Sequence, residues 1–174
     1  MNINKTYLFI FSLSLLLSSC IKEDGDEGAI NYVNINDQVP PFVVEDAQGE
    51  TFNSKQFLGK ESLLVFFGTY CPDCKKVLPV IEEVWKELKD DPKFLLVTIS
   101  REEPTETVSK YWKDNQFTMP FYIDPTHGDV FSLFANNTIP RIYVINPDNK
   151  VVWMSVESLD ISAKELIQKI KGLK

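Results

Sequence analysis

The sequence predicts an α/β fold, a central mixed sheet with helices on both faces, and three observations predict it. Strand-like and helix-like stretches alternate from about Asn31 to the C-terminus, and alternation of this kind marks a sheet covered by helices. Leu63–Phe67 and Phe94–Ile99 are unbroken apolar runs, as strands buried on both faces require. Between them Val77, Ile81, Val84 and Leu88 recur at spacings of four, three and four, the apolar stripe of a helix lying on that sheet.

The elements follow in order. Phe42-Val43-Val44 and Thr51-Phe52 flank the turn Ala47-Gln48-Gly49, which reads as an N-terminal hairpin. The helix after Leu63–Phe67 carries Lys75, Lys76, Glu82, Glu83, Lys86 and Glu87 between its apolar positions, and these form its expected solvent side. Beyond the second buried strand, Glu103-Pro104-Thr105 opens a helix with Val108, Tyr111 and Trp112. Pro120–Ile123 is a short strand and Gly128–Ala135 a short helix. Arg141–Ile145 and Val151–Val156 pair around Asn146-Pro147-Asp148-Asn149, whose residue types favour turns. Asp160 or Ser162 caps a last helix. No repeat or second domain is visible, so the expected division is a leader over 1–19, a tether over 20–34 and one folded domain over 35–174.

Composition narrows the function classes. The chain has 174 residues, 44% hydrophobic and 25% charged, which is ordinary globular composition with enough length for a core that needs no staple. Its formal net charge of −7 comes without any long basic run, and this argues against a nucleic-acid partner. It has three cysteines, Cys20, Cys71 and Cys74, and one histidine, His127.

The first residues read as an address. Lys5 precedes the apolar run Tyr7–Leu17, followed by Ser18 and Ser19, the pattern of a cleaved signal peptide. Those eleven residues rise about 16 Å as a helix, against a bilayer core of about 30 Å. Leu17-Ser18-Ser19-Cys20 is similar to the bacterial lipoprotein signal, which implies cleavage before Cys20, lipidation of Cys20 and a membrane partner. The plain alternative is a free thiol. Ile21-Lys22-Glu23-Asp24 and the Gly/Asp/Glu stretch behind it cannot build a core and read as a tether. A lysine followed by acids after the lipidated cysteine also resembles a surface-export signal. The expectation is therefore an outer-membrane lipoprotein facing either the periplasm or the cell surface.

Cys71-Pro72-Asp73-Cys74 carries the chemistry. A buried strand ends at Phe67, Gly68-Thr69-Tyr70 turn the chain, and the C-x-x-C opens an amphipathic helix. A helix N-terminus offers unbonded backbone N–H groups and a positive dipole end, which favour a thiolate, the nucleophilic form. Pro72 suits the first helical turn. Cys74 returns to the same side, where it can attack a mixed disulfide formed at Cys71. Zinc asks for four ligands, and here Cys20 is distant and only His127 remains. A structural disulfide closing so short a loop would add little stability.

With these residues in view, the chain resembles the thioredoxin superfamily, specifically its membrane-tethered, extracytoplasmic TlpA/ResA-type branch. The resemblance rests on the strand Leu63–Phe67, the run Gly68–Lys76 and Thr138-Ile139-Pro140 before a strand, and it covers about residues 35–174. It implies a thioredoxin-like fold with the N-terminal hairpin as an extension and an extra helix and strand inserted. It also implies a cis proline at Pro140 facing the C-x-x-C, with the backbone of Ile139 pairing with bound substrate. Cys71 and Cys74 would be catalytic, and Tyr70, Pro72, Asp73, Ile139 and Pro140 would frame the client groove. The partners would be client proteins with disulfides or dithiols and a redox protein that recycles the pair; no metal or organic cofactor is implied. Two positions depart from the pattern: the branch's glutamate three residues after the second cysteine is Val77, and the acid of thioredoxins on the preceding strand falls at Val65. Asp73, or water, is left as proton acceptor. Asp73 also opposes the dipole at Cys71, which favours a reducing pair, while Lys75 and Lys76 act the other way.

Two other functions fit parts of the sequence. A peroxiredoxin-like thiol peroxidase would use Arg141 beside the peroxide, although Thr69 lies only two residues before Cys71 and Cys74 is close for a resolving residue. A non-enzymatic binding lipoprotein on the same scaffold is the other, since fold does not imply function; it has no need of both thiols.

Overall fold

The structure, a computed structural model, describes residues 28–124 and 128–172. The expected signal peptide, Cys20, the tether up to residue 27 and His127 lie outside the described residues. Seven strands form one sheet in the order β2-β1-β5-β4-β3-β6-β7. They are β1 (Val43–Glu45), β2 (Thr51–Asn53), β3 (Glu61–Phe67), β4 (Phe94–Arg101), β5 (Tyr122–Asp124), β6 (Arg141–Ile145) and β7 (Val151–Val156). The helices are α1 (Pro72–Leu88), α2 (Thr105–Asn115) and α3 (Ala163–Lys171), with short 3₁₀ turns at Ser54–Phe57 and Phe131–Leu133. The expected short helix over Gly128–Ala135 is the second of these turns.

The centre of the sheet is parallel, β3 with β4 and β4 with β5, and antiparallel strands flank it. The hairpin β1–β2 joins through β5, so the inserted helix–strand unit α2–β5 is what carries the N-terminal extension. Alternation along β3 divides the core. Leu63, Val65 and Phe67 face the cluster that takes in the apolar sides of α1, α2 and α3. Leu64 and Phe66 face the cluster closed by Phe57, Phe131, Phe134 and the N-terminal residues Val33, Val39 and Phe42. Helices thus lie on both faces, but they differ in kind: α-helices on one, 3₁₀ turns and aromatic side chains on the other.

Helix α1 anchors the first cluster with Cys74, Leu78, Ile81 and Val84 wholly buried, each large apolar side chain contributing about 1.5–3 kcal/mol by burial. It tolerates Pro79 in its interior, where the ring only removes one backbone donor on the exposed side. One residue of its expected solvent side is misplaced: Glu82 is buried. Its carboxylate accepts hydrogen bonds from Thr118 N and Met119 N, both at 3.0 Å, and from Thr118 Oγ1 at 2.7 Å. The loop before β5 has N–H groups with no strand partner there, and a buried carboxylate satisfies them where an apolar side chain would not. Burial raises the Glu82 pKa, but these bonds and Lys86 outweigh it and hold the carboxyl below its usual range.

The folded unit also begins earlier than residue 35. Asn31, expected in the tether, bridges to Ala135, Tyr32 N donates to Phe134 O at 2.8 Å, and Val33 is buried. At the other end, Ser162 caps α3 through a capping box with Glu165, deciding the choice between Asp160 and Ser162.

Candidate active site

The register of β3 places the site. Phe67 pairs with Ser100 of β4, and Phe66 with Arg141 of β6. The turn after β3, the loop after β4 and the segment entering β6 therefore meet at one edge of the sheet, the carboxyl end of its parallel strands, where α/β folds place their ligands.

Cys71 is the N-cap of α1, with φ −79° and ψ 120°. Its sulfur accepts the Cys74 backbone N–H at 3.2 Å and lies 3.5 Å from the Ile139 carbonyl oxygen. It is 8% exposed and Cys74 not at all, and both thiols are free. Burial pushes the Cys74 pKa far above its usual value, and a hydrogen bond with Cys71 adds to the rise. The two thiols are therefore unequal: one 8% exposed at a helix cap, one wholly buried with its pKa raised.

The other expected site residues divide. The Ile139–Pro140 peptide is cis, and Pro140 is buried beside the C-x-x-C turn. Tyr70 is 60% exposed; a Cβ on Gly68 would sit 2.7 Å from its ring and 3.0 Å from Ile139 Cδ1, so the glycine lets Tyr70 and Ile139 close over the turn. Pro72 occupies the first turn of α1, exposed. Asp73 turns to Lys76 at 2.7 Å, on the solvent side. Val65 and Val77 are buried apolar residues, so neither usual acid position holds a carboxylate.

A carboxylate does reach this edge, from a residue that sequence reasoning passed over as a helix opener. Glu103 is 9% exposed. It accepts Thr69 N at 2.7 Å, Ser100 Oγ at 2.9 Å and the Thr69 hydroxyl, tying the turn before Cys71 to the end of β4. Its signal was positional, an acid two residues past the end of a buried parallel strand. Arg141 is also at this edge but is wholly buried, with its guanidinium committed to Asn137 O, Thr138 O and Asn31. It does not open toward Cys71 as a peroxide-binding cation would. Among the described residues no helix is long and apolar enough to cross a membrane, and no cluster of His, Cys, Asp or Glu has metal-holding geometry.

A dithiol at the cap of a helix, facing a cis proline on a mixed sheet, defines the class: a thioredoxin-fold thiol–disulfide oxidoreductase. The chain belongs to the Redoxin family, whose model matches residues 34–167. Curated relatives are named thiol–disulfide oxidoreductase ResA. That of Bacillus thuringiensis subsp. konkukian is 28% identical over 120 residues, 69% of this chain and 68% of the relative. The Bacillus subtilis protein is 30% identical over 113 residues, 65% and 62% of the two chains. A solution structure from Bacteroides thetaiotaomicron, provisionally described as a protein disulfide isomerase, superimposes with a TM-score of 0.76 at 29% identity, over 82% of this chain and 91% of that one. StoA from Bacillus subtilis shares the fold with a TM-score of 0.61 at 22% identity, over 76% and 97%.

Proposed function

We propose that this oxidoreductase works outside the cytoplasm as a reductase of client-protein disulfides, with Cys71 as nucleophile and Cys74 as resolving thiol. The observation that carries the assignment is the unequal placement of the two cysteines, Cys71 8% exposed at the helix cap and Cys74 wholly buried behind it. Cys71 thiolate attacks a client disulfide, forming one Cys71–client S–S bond while the other client sulfur leaves as thiolate. Cys74 gives up its proton and attacks Cys71 Sγ; the Cys71–Cys74 bond forms and the second client sulfur leaves. Two electrons pass to the client, whose thiolates take up protons, and a reduced dithiol protein must restore the pair. The Ile139 backbone, Tyr70, Pro72, Asp73 and Pro140 frame the groove in which the client chain lies.

The reducing direction has support in the charges. Oxidants of this kind stabilise their reduced form, whereas here burial disfavours the thiolate of Cys74 and offers no such help. The leader pattern and Cys20 support attachment to the outer membrane, from which the tether would present the domain to periplasm or surface.

The test is the reduction potential of Cys71–Cys74 in glutathione buffers. A value near −270 mV, about that of thioredoxin, is expected, and one near about −120 mV would make it an oxidant. A protein with no reversible two-electron couple would end the catalytic reading.

A further inference from the structure

Arg141 opens a strand whose other residues, Ile142 to Ile145, are all buried and uncharged. Its own exposure is 0%, and among the described residues no carboxylate lies within ion-pair distance of it. A buried cation without a counter-ion is costly unless its donors are fully used. Here each of the three guanidinium nitrogens finds an acceptor, two of them on one short segment. Nε donates to Thr138 O at 2.9 Å and to Asn137 O at 3.2 Å, and one terminal nitrogen donates to Asn137 O at 2.8 Å. The other donates to Asn31 Oδ1, on the N-terminal segment. The plane of the group lies near the Phe131 ring, 5.9 Å from its centroid.

The segment so held is under strain. Thr138 has φ +72°, a left-handed conformation that a β-branched residue rarely adopts. Such a residue stays there only when its surroundings over-determine it. Its carbonyl and that of Asn137 are the two Arg141 grips, and the next carbonyl, of Ile139, is the one 3.5 Å from Cys71 Sγ.

We propose that Arg141, braced by Asn31, is a positioning residue that holds Thr138 in its left-handed conformation and so aims the Ile139 backbone into the client groove. The inference rests on the exchange reading of the site and adds to it a specificity element: a client chain needs the aimed backbone, a small disulfide needs only Cys71. The N-terminal segment thereby becomes part of the groove's support, where it would otherwise be only the end of a tether.

The experiment compares rates of reduction of insulin, a protein disulfide, and of cystamine, a small one, by the reduced protein. Arg141→Met is expected to lower the insulin rate at least about tenfold more than the cystamine rate, as misplacement of a positioning group does. Thr138→Gly in that background is expected to restore part of the insulin rate, because glycine adopts positive φ without strain. Asn31→Ala, which leaves the core intact, is expected to show the same split in smaller degree, and it carries the test if Arg141→Met does not fold. Equal losses on both substrates in Arg141→Met and Asn31→Ala, or no gain from Thr138→Gly, would overturn the proposal. Failure of the underlying reading looks different: Cys71→Ser would then leave both rates unchanged.

Discussion

Replacing Glu103 by alanine tests whether the turn before Cys71 is held by that one carboxylate. Three donors lose their acceptor: Thr69 N, the Thr69 hydroxyl and Ser100 Oγ. A hydrogen bond to a charged group is worth about 1.5–3 kcal/mol net, and a buried donor left unpaired costs about 1–3 kcal/mol. The two hydroxyls can rotate toward other acceptors, so their losses are partial; the Thr69 amide is fixed by the chain and takes the full penalty. With one full and two partial losses on a shared acceptor, which do not simply add, the sum is about 3–4 kcal/mol. For a domain of this length that lowers Tm by about 10 °C. Urea unfolding followed by circular dichroism measures it, with an unchanged slope showing that stability and not compactness has altered. Glu103→Gln keeps one acceptor oxygen and should recover about half of the loss. A Glu103→Ala protein within about 1 kcal/mol of the parent would refute the reasoning, since that is the cost of an average point substitution.

Two further outcomes follow from the buried acids. Cys74 has a raised pKa, so at pH above about 8.5 the unfolded chain releases a proton that the folded reduced protein keeps, and stability falls with pH by at most about 1.4 kcal/mol per unit; pH-dependent melts of the reduced protein should show this slope and Cys74→Ala should lack it. Glu82 has a lowered pKa, so its contribution is present above the usual glutamate range and fades as pH falls below it. Glu82→Ala should cost about 2–4 kcal/mol at pH 7 by unpairing the Thr118 and Met119 amides, and a variant as stable as the parent would show that the loop before β5 finds other partners.

Most of the fold was legible because its core elements carry their own patterns. Leu63–Phe67 and Phe94–Ile99 announce strands by unbroken apolarity, α1 by its four-three-four stripe, and β6 and β7 flank a turn whose residues can only turn. What stayed hidden depended on partners far along the chain. Glu82 sits between charged residues in a helix and looks solvated; only the unpaired amides of Thr118 and Met119, 36 and 37 residues away, bring it inside. Asn31 reads as tether because nothing local shows that it braces Arg141, 110 residues on.

The same distinction holds within the site. The proposed reacting pair is local, since Cys71, Pro72 and Cys74 lie within one helical turn, where a helix end favours a thiolate. The frame around them is assembled from three chain segments, and each contributes a polar group: Thr69 after β3, Glu103 after β4, Arg141 after the cis proline. Of these, Glu103 fastens the nucleophile's turn and Arg141 fastens the facing backbone, and neither takes a place that the superfamily resemblance marks with an acid. Val65 and Val77 leave Cys74 in apolar surroundings, so its proton has no buried carboxylate at those positions to pass to.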